Sequence, residues 1–290
     1  MSEAVKKFNP IRYKETTLAQ WETAAEAWHR WGPLLHDWLG GPTETMFDMA
    51  GIQEGNRVLD VAAGAGEQSL MAAHRVGKDG YVLATDLCPK ILSFAEAAAK
   101  HAGLENLETR PLDGEHLDQL EPASFDAVIS RVGMIYFPDQ QKALAGMKRC
   151  LKPGGKVAAM VYATADTNQF FSTPVSIIRR RAELPPPLPG QPGPFNLGGE
   201  GVLAGVLEKA GFTDVESIEI DAPVIQNSAA ECLRFEKESF GALHQMLSGL
   251  SEQEQQAAWD EIEAELKVYE KDGKFVGPCK LIVGVGTKGA

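Results

Sequence analysis

The sequence predicts an α/β protein built on a mostly parallel sheet. Three observations carry that reading. Apolar strand-like runs alternate with helical segments from Arg57 to Ala163. The first run ends in small residues and glycines, Ala62-Ala63-Gly64-Ala65-Gly66, just before a helix begins. The second ends at Asp86, 20 positions past Gly66. Strands separated by helices imply right-handed βαβ crossovers, which place parallel strands side by side.

The elements follow in order. Residues 15–50 read as helical: Leu18, Trp21, Ala25, Trp28 and Trp31 recur at three- and four-residue steps and form one apolar face. Thr17 is the expected N-cap, and Gly32-Pro33 and Gly40-Gly41-Pro42 are expected to punctuate the region. Then come a strand at 57–62, a helix at 67–76, a strand at 81–87 and a helix at 89–101 that starts on proline. LETRPLD (107–113) is a weaker strand and SFDAVISRV (124–132) a strong one. A helix at 140–151 leads into the strand GKVAAMVYA (155–163).

The pattern then changes. Residues 163–182 look partly helical, and ELPPPLPGQPGPF (183–195) holds six of the 17 prolines, too many for a regular element. It reads equally as a stiff surface linker or as a loop beside a pocket mouth. A helix at 200–210 ends on Gly211, and 212–220 is a strand. Residues 228–270 read as two helices broken at LSGLSEQE, where Ser251 and Glu254 have capping-box spacing. KFVGPCKLIVGVG (274–286) is the last strand, with an irregular start at Pro278. This divides the chain into an N-terminal helical cap (1–50), a core (51–222 and 273–290) and a helical insertion or lid (223–272).

Composition narrows the function. The net charge of −12 argues against a nucleic-acid binder, because phosphate contacts need clustered Lys and Arg. The densest basic clusters, Arg179–Arg181 and Lys148-Arg149 with Lys152, read as solvated helix surface. The four cysteines have no metal-ligand spacing and read as reduced thiols of a cytoplasmic protein, so no metal is expected. The opening residues MSEAVKKFNPIRYKET lack the apolar stretch of a signal peptide. No later run reaches the roughly 18 apolar residues of a membrane span.

In an open parallel sheet, ligands bind beyond the carboxyl ends of the strands. A carboxylate at Asp86 suits the two hydroxyls of a ribose, and glycines at 64 and 66 suit a close backbone approach. Together they describe a nucleoside-containing ligand. A pyrophosphate dinucleotide expects a third small residue where Ser69 stands, and no GK[ST] follows to make a phosphate loop.

Here the sequence resembles the class I S-adenosylmethionine-dependent methyltransferases, most closely the branch of the ubiquinone/menaquinone-biosynthesis enzymes (methyltransferase type 11). The likeness rests on VLDVAAGAGEQ (58–68), ATDLCP (84–89), LDGEHL (112–117), FDAVISRVGMIYFPD (125–139), LKPGGKV (151–157) and GPFNLGGEGVLAGVLEKAGF (193–212). LKPGG before a strand is not a dehydrogenase feature. The resemblance implies a Rossmann-like sheet of seven strands in the order 3-2-1-4-5-7-6, the last antiparallel. It implies S-adenosylmethionine as cofactor and S-adenosylhomocysteine as product. Gly64 and Gly66 would face the methionine part and ribose; Asp86 would bind the ribose hydroxyls, with Leu87 against adenine. Asp113, with Gly114 beside it, would accept from the adenine amino group. Ser130 and Arg131 would lie near the methionine moiety, and Asp60 would order the loop. Ala62 replaces a glycine of the family loop, at little cost unless its φ is positive.

Methyl transfer from a sulfonium needs alignment and exclusion of water more than it needs protein catalysts. A base is required only for an acceptor of high pKa. His29, His36 and Tyr136 are the weak candidates for one. Trp28, Trp31 and Trp38 either line an apolar acceptor pocket or seal the helices onto the sheet. The expected function is methyl transfer to a small, partly apolar acceptor, by a monomer or a homodimer. The alternatives are a nicotinamide-dependent oxidoreductase, a nucleic-acid methyltransferase and a non-catalytic nucleoside-binding protein.

Overall fold

A computed structural model describes residues 7–290. Residues 1–6, where the stretch read as lacking a leader begins, lie outside the described residues. Two helices come first, α1 (Pro10–Arg30) and α2 (Gly32–Ala50). The core follows as β1 (Arg57–Val61), α3 (Glu67–Val76), β2 (Tyr81–Asp86), α4 (Pro89–His101), β3 (Leu107–Pro111), β4 (Phe125–Arg131), α5 (Gln140–Cys150) and β5 (Leu151–Tyr162). Then come α6 (Gln169–Arg181), α7 (Val202–Lys209), β6 (Thr213–Asp221), β7 (Val224–Gln226), α8 (Ala229–Ser239), α9 (Gly241–Leu247) and α10 (Glu252–Leu266). The chain closes with β8 (Glu270–Lys271), β9 (Lys274–Gly277) and β10 (Lys280–Thr287).

The main sheet has seven strands in the order β3-β2-β1-β4-β5-β10-β6. Counting only its own strands, this is 3-2-1-4-5-7-6, and β10 runs antiparallel to both neighbours, as the sequence led us to expect. β1, β4 and the second half of β5 are almost wholly buried because helices cover both their faces. Helices α2, α3 and α4 pack against one another and the sheet, as do α5 and α7. The order reverses between β1 and β4, which diverge at their carboxyl ends and open a crevice there.

Several local expectations are corrected. Helix α1 starts five residues before residue 15, capped by Asn9, whose Oδ1 accepts from the Arg12 amide at 3.1 Å. Thr17 is therefore not a cap; it lies buried mid-helix. Gly32-Pro33 does separate α1 from α2, but Pro42 lies inside α2, so Gly40-Gly41-Pro42 breaks nothing. Residues 228–270 hold three helices rather than two, since Phe240 divides α8 from α9. The Ser251–Glu254 capping box is present at the start of α10.

The run 274–286 is also two strands. β9 joins a second, three-stranded sheet (β7-β9-β8), and β10 enters the main sheet after Pro278. A proline has no amide to donate, so it falls where the chain leaves one ladder for the other. The segment between β6 and β10 thus combines three helices with this small sheet. Helix α1 packs on α4, α8 and α9, and so roofs the crevice between the core and that segment.

Candidate active site

The crevice holds a cleft of about 1040 Å³, part of it open to solvent. It lies beyond the carboxyl ends of β1, β2, β4 and β5. Its floor is the turn after β1. Gly64 has φ +58° and its Cα faces the cleft, with the Trp28 indole nitrogen 3.5 Å from where a Cβ would stand. Gly66 has φ +84° but faces away: a Cβ there would come within 2.4 Å of the Ala95 Cβ on α4. The second glycine is thus required for helix packing, not for ligand approach.

Ala62 has φ +63°, the condition under which its side chain is costly. A non-glycine residue in this region loses about 1 kcal/mol or more. Val132, at the end of β4, is also left-handed at φ +57°, which is rarer still for a β-branched residue. Both strained residues line the cleft, one on each side of the β1/β4 crevice. Gly133 lets these turns meet, since a Cβ there would lie 2.5 Å from the Ala62 Cβ.

Asp86 ends β2 and lines the cleft. Its Oδ2 accepts from the Gly64 amide and its Oδ1 from the Cys88 amide, both at 2.9 Å. Burial raises its pKa, and the amides of Cys88, Gly64 and Leu87 oppose the rise. Each oxygen keeps a lone pair for a further donor, which is what a vicinal diol needs. Asp60 is fully buried behind the loop and does not line the cleft. It accepts from Ser69 Oγ at 2.5 Å and from Gln68 at 3.5 Å, tying the start of α3 to β1. Burial pushes its pKa up to about 7, against the lowering effect of Ser69 and Arg131.

At the far end, Lys14 of α1 donates to Asp113 Oδ2 and Glu115 Oε2, both at 2.7 Å. Asp113 Oδ1 accepts from the Glu115 amide at 2.9 Å. Burial opposes ionisation of Asp113, but Lys14 and the amide outweigh it and hold its pKa low. Gly114 lets this turn approach β1, since a Cβ would lie 2.7 Å from Phe137 and 2.9 Å from Val61. Arg131, 8% exposed, bonds Thr43 at 3.0 Å and also pairs with Glu67.

Of the residues singled out in the sequence, Ala62, Gly64, Asp86, Leu87, Asp113, Gly114, Arg131 and Tyr136 come together around the cleft, with Trp28. Asp60, Gly66 and Ser130 support it without lining it; Ser130 Oγ is buried and has no partner among the described residues. His29 lies outside, exposed and stacked on Phe94 at 4.6 Å. His36 is exposed and bonded to Glu67 at 2.9 Å, so neither histidine lines the cleft. Trp31 and Trp38 line a separate groove against the small sheet. The proline-rich segment 183–195 takes no part in the cleft, although Phe195 packs on Tyr162 and Phe171. Among the described residues no cluster of metal-ligating side chains occurs.

The sequence reading missed Lys14, Leu18, Trp21, Tyr162 and Phe240 as lining residues. The signal for the first three was present. Lys14, Leu18, Trp21 and Trp28 lie on one helical stripe once α1 is extended to its true start. Tyr162 stands at the end of the fifth strand, where the same strand-end rule applies.

The cleft, then, lies at the switch point of a seven-stranded sheet. Residues 58–155 match the model of a family described as a methyltransferase domain, and the chain has the Rossmann-like methyltransferase fold. Among curated relatives, an uncharacterized protein of Mycobacterium tuberculosis is 37% identical over 130 residues, 45% of this chain and 44% of that protein. The demethylmenaquinone methyltransferase of Listeria welshimeri is 35% identical over 119 residues, 41% of this chain and 48% of that enzyme. The chain spans about half the length of the curated relatives it matches. Among solved structures, the YcgJ protein of Bacillus subtilis superposes with a TM-score of 0.56 at 19% identity, covering 86% of this chain and 98% of its own. A phosphoethanolamine N-methyltransferase of Haemonchus contortus, solved with S-adenosylhomocysteine, gives 0.54 at 20% identity over 86% of this chain and 53% of its own. No helix among the described residues is long and apolar enough to cross a membrane.

Proposed function

We propose that this chain transfers the methyl group of S-adenosylmethionine to a small-molecule acceptor. The observation that carries the reading is Asp86, with both carboxylate oxygens held by backbone amides at the rim of the glycine turn. In this reading Asp86 takes the ribose hydroxyls. Leu87 packs on the adenine, and Asp113 with Gly114 borders its amino group. The methionine part runs over Ala62–Gly64 toward Arg131. Acceptor and methyl group then meet under the apolar side chains of Trp21, Trp28, Tyr136 and Phe240, which shield them. The cofactor arrives activated, so the residues here bind, orient and shield.

The methyltransferase relative and the methyltransferase among the solved neighbours support this reading. The fold by itself does not choose the reaction, since a solved [4+2]-cyclase also superposes, with a TM-score of 0.54. A small acceptor is supported by the narrow, apolar shape of the cleft and by the acidic net charge.

The test is calorimetry with S-adenosylhomocysteine on the full chain. Binding is expected, and Asp86→Ala should weaken it about tenfold or more by removing two hydrogen bonds to a buried ribose. No binding of S-adenosylhomocysteine, with tight binding of NAD instead, would refute the proposal.

A further inference from the structure

A second groove, of about 1190 Å³ and part of it open to solvent, runs between the first turns of α2 and the small sheet. It shares no lining residue with the cleft. Trp31 and Pro33 border it on the helix side, and Pro223 and Ile225 on the sheet side. Ile225 is 52% exposed. The Trp31 indole N–H donates to Glu238 Oε2, and that of Trp38 donates to the Ala222 carbonyl, both at 2.8 Å. Both indoles have thus spent their one donor, and what they offer the groove is ring surface.

One polar side chain in the groove is not spent. Gln226 ends β7, on the buried side of an alternation in which Val224 is also buried and Ile225 is exposed. It lines the groove, yet only 7% of it is exposed. Neither its Oε1 nor its Nε2 has a hydrogen-bond partner among the described residues. The polar groups beside it are engaged with others. Arg30 pairs with Glu238, and Glu231 accepts from the amide and the side chain of Asn227. A buried amide that has given up water and gained no partner lowers stability. Turning it toward the groove breaks no hydrogen bond.

The chemistry of a carboxamide restricts what can answer it. It presents a carbonyl oxygen and an N–H side by side. A carboxylate or phosphate only accepts, and so leaves Oε1 without a donor. A trans peptide bond points its N–H and C=O in opposite directions, and cannot close both bonds to one amide. A ring in which an N–H adjoins a C=O closes both at once. Such a ring is also flat, which suits the Trp31 indole and the two proline rings at the groove walls.

We propose that this groove is a second ligand site, for a flat heterocycle with a lactam or imide edge. Two hydrogen bonds to the Gln226 amide hold the edge, and Trp31 packs on the ring. The site goes beyond the methyltransferase reading and does not depend on it. Trp38, which lines the groove, stacks on Tyr162 of the cleft at 6.3 Å, so the two spaces share a wall.

The test uses 2-quinolone, 1-methyl-2-quinolone and quinoline as probes of nearly one shape, each titrated into the full chain by calorimetry. Only 2-quinolone carries N–H beside C=O, and it should bind about tenfold or more tighter than the others. Gln226→Met keeps the length of the side chain and removes the amide. It should abolish that preference and leave the melting temperature at or above wild type, since no internal hydrogen bond is lost. Ile225→Trp, at an exposed position on the groove rim, should weaken all three probes without lowering the melting temperature. Absence of 2-quinolone binding, or equal affinity for the three probes, overturns the inference. So does a preference that survives Gln226→Met, or binding untouched by Ile225→Trp, since either places the probe elsewhere. A marked loss of stability in Gln226→Met also overturns it, because the amide would then be bonded within the fold.

Discussion

Glu236 offers a measurement that isolates one buried group. It lies on α8 with no solvent exposure. Among the described residues its Oε1 has a single weak partner, the Cys232 thiol at 3.9 Å, and its Oε2 has none. Burial therefore raises its pKa well above the usual carboxylate range. The folded protein holds Glu236 protonated, whereas the unfolded chain ionises it above about pH 4.3. Above that point the folded state binds one more proton than the unfolded state, so rising pH lowers stability. The slope reaches at most about 1.4 kcal/mol per pH unit, over the range in which the folded group stays protonated and the unfolded one is ionised. Glu236→Met removes the carboxyl and keeps an unbranched side chain of similar length. Urea unfolding of both proteins at pH 5, 6 and 7 should show the variant gaining on wild type as pH rises, by up to about 1.4 kcal/mol per pH unit. Asp60, whose pKa is pushed up to about 7 by burial, has the same sign but is present in both proteins and cancels. Parallel stability profiles would refute the reasoning, because they would mean that Glu236 ionises in the folded state.

Two further substitutions test the turn after β1. Gly66→Ala forces a Cβ to within 2.4 Å of Ala95 and demands a left-handed alanine, so unfolding should show a loss of about 2 kcal/mol or more. Ala95→Gly should restore part of it, which a purely conformational penalty would not allow. Ala62→Gly should raise stability by up to about 1 kcal/mol with S-adenosylhomocysteine affinity kept, since glycine adopts the observed φ of +63° freely. A loss of stability there would mean that the Ala62 methyl contributes more by packing than it costs in backbone strain.

The sheet was legible from sequence because its central strands β1, β2 and β4 are short, carry an apolar run and are bounded by a turn signal or a helix cap. Strands β1, β2, β4 and helices α3 and α4 fall within a residue or two of their expected bounds. The small sheet was not legible. β7 and β9 are three and four residues long and alternate buried with exposed positions too briefly to show a period. Pro42 misled for a different reason. Its missing amide is tolerated because α2 is held by the sheet, with Leu39, Thr43, Met46 and Phe47 all buried around it. The cap of α1 was missed because Asn9-Pro10 precedes the apolar stripe by more than a turn; that turn carries Lys14, which reaches the cleft. Tertiary ion pairs such as Lys14 with Asp113 join residues 99 positions apart, and no local pattern announces them.

The two ends of the site differ in how their geometry is fixed. The Asp86 end is built from backbone: amides of Gly64 and Cys88 aim the carboxylate, and substitutions around it act through φ and Cβ clashes. The inner end is built from side chains of distant segments, Trp21 and Trp28 of α1, Tyr136 after β4, Tyr162 of β5 and Phe240 after α8. Only the backbone-built end leaves a compact trace in sequence, as small residues at fixed offsets from a strand. Strain gathers where the two ends meet, at Ala62 and Val132, whose left-handed turns diverge from β1 and β4. Holding a β-branched residue there costs about 1 kcal/mol or more, which the surrounding turns must over-determine. That strain fixes the direction in which both turns leave the sheet, and so the spacing between Asp86 and the inner end of the cleft. The same seven-stranded frame can therefore keep its backbone-built end while the other end varies with the side chains brought to it.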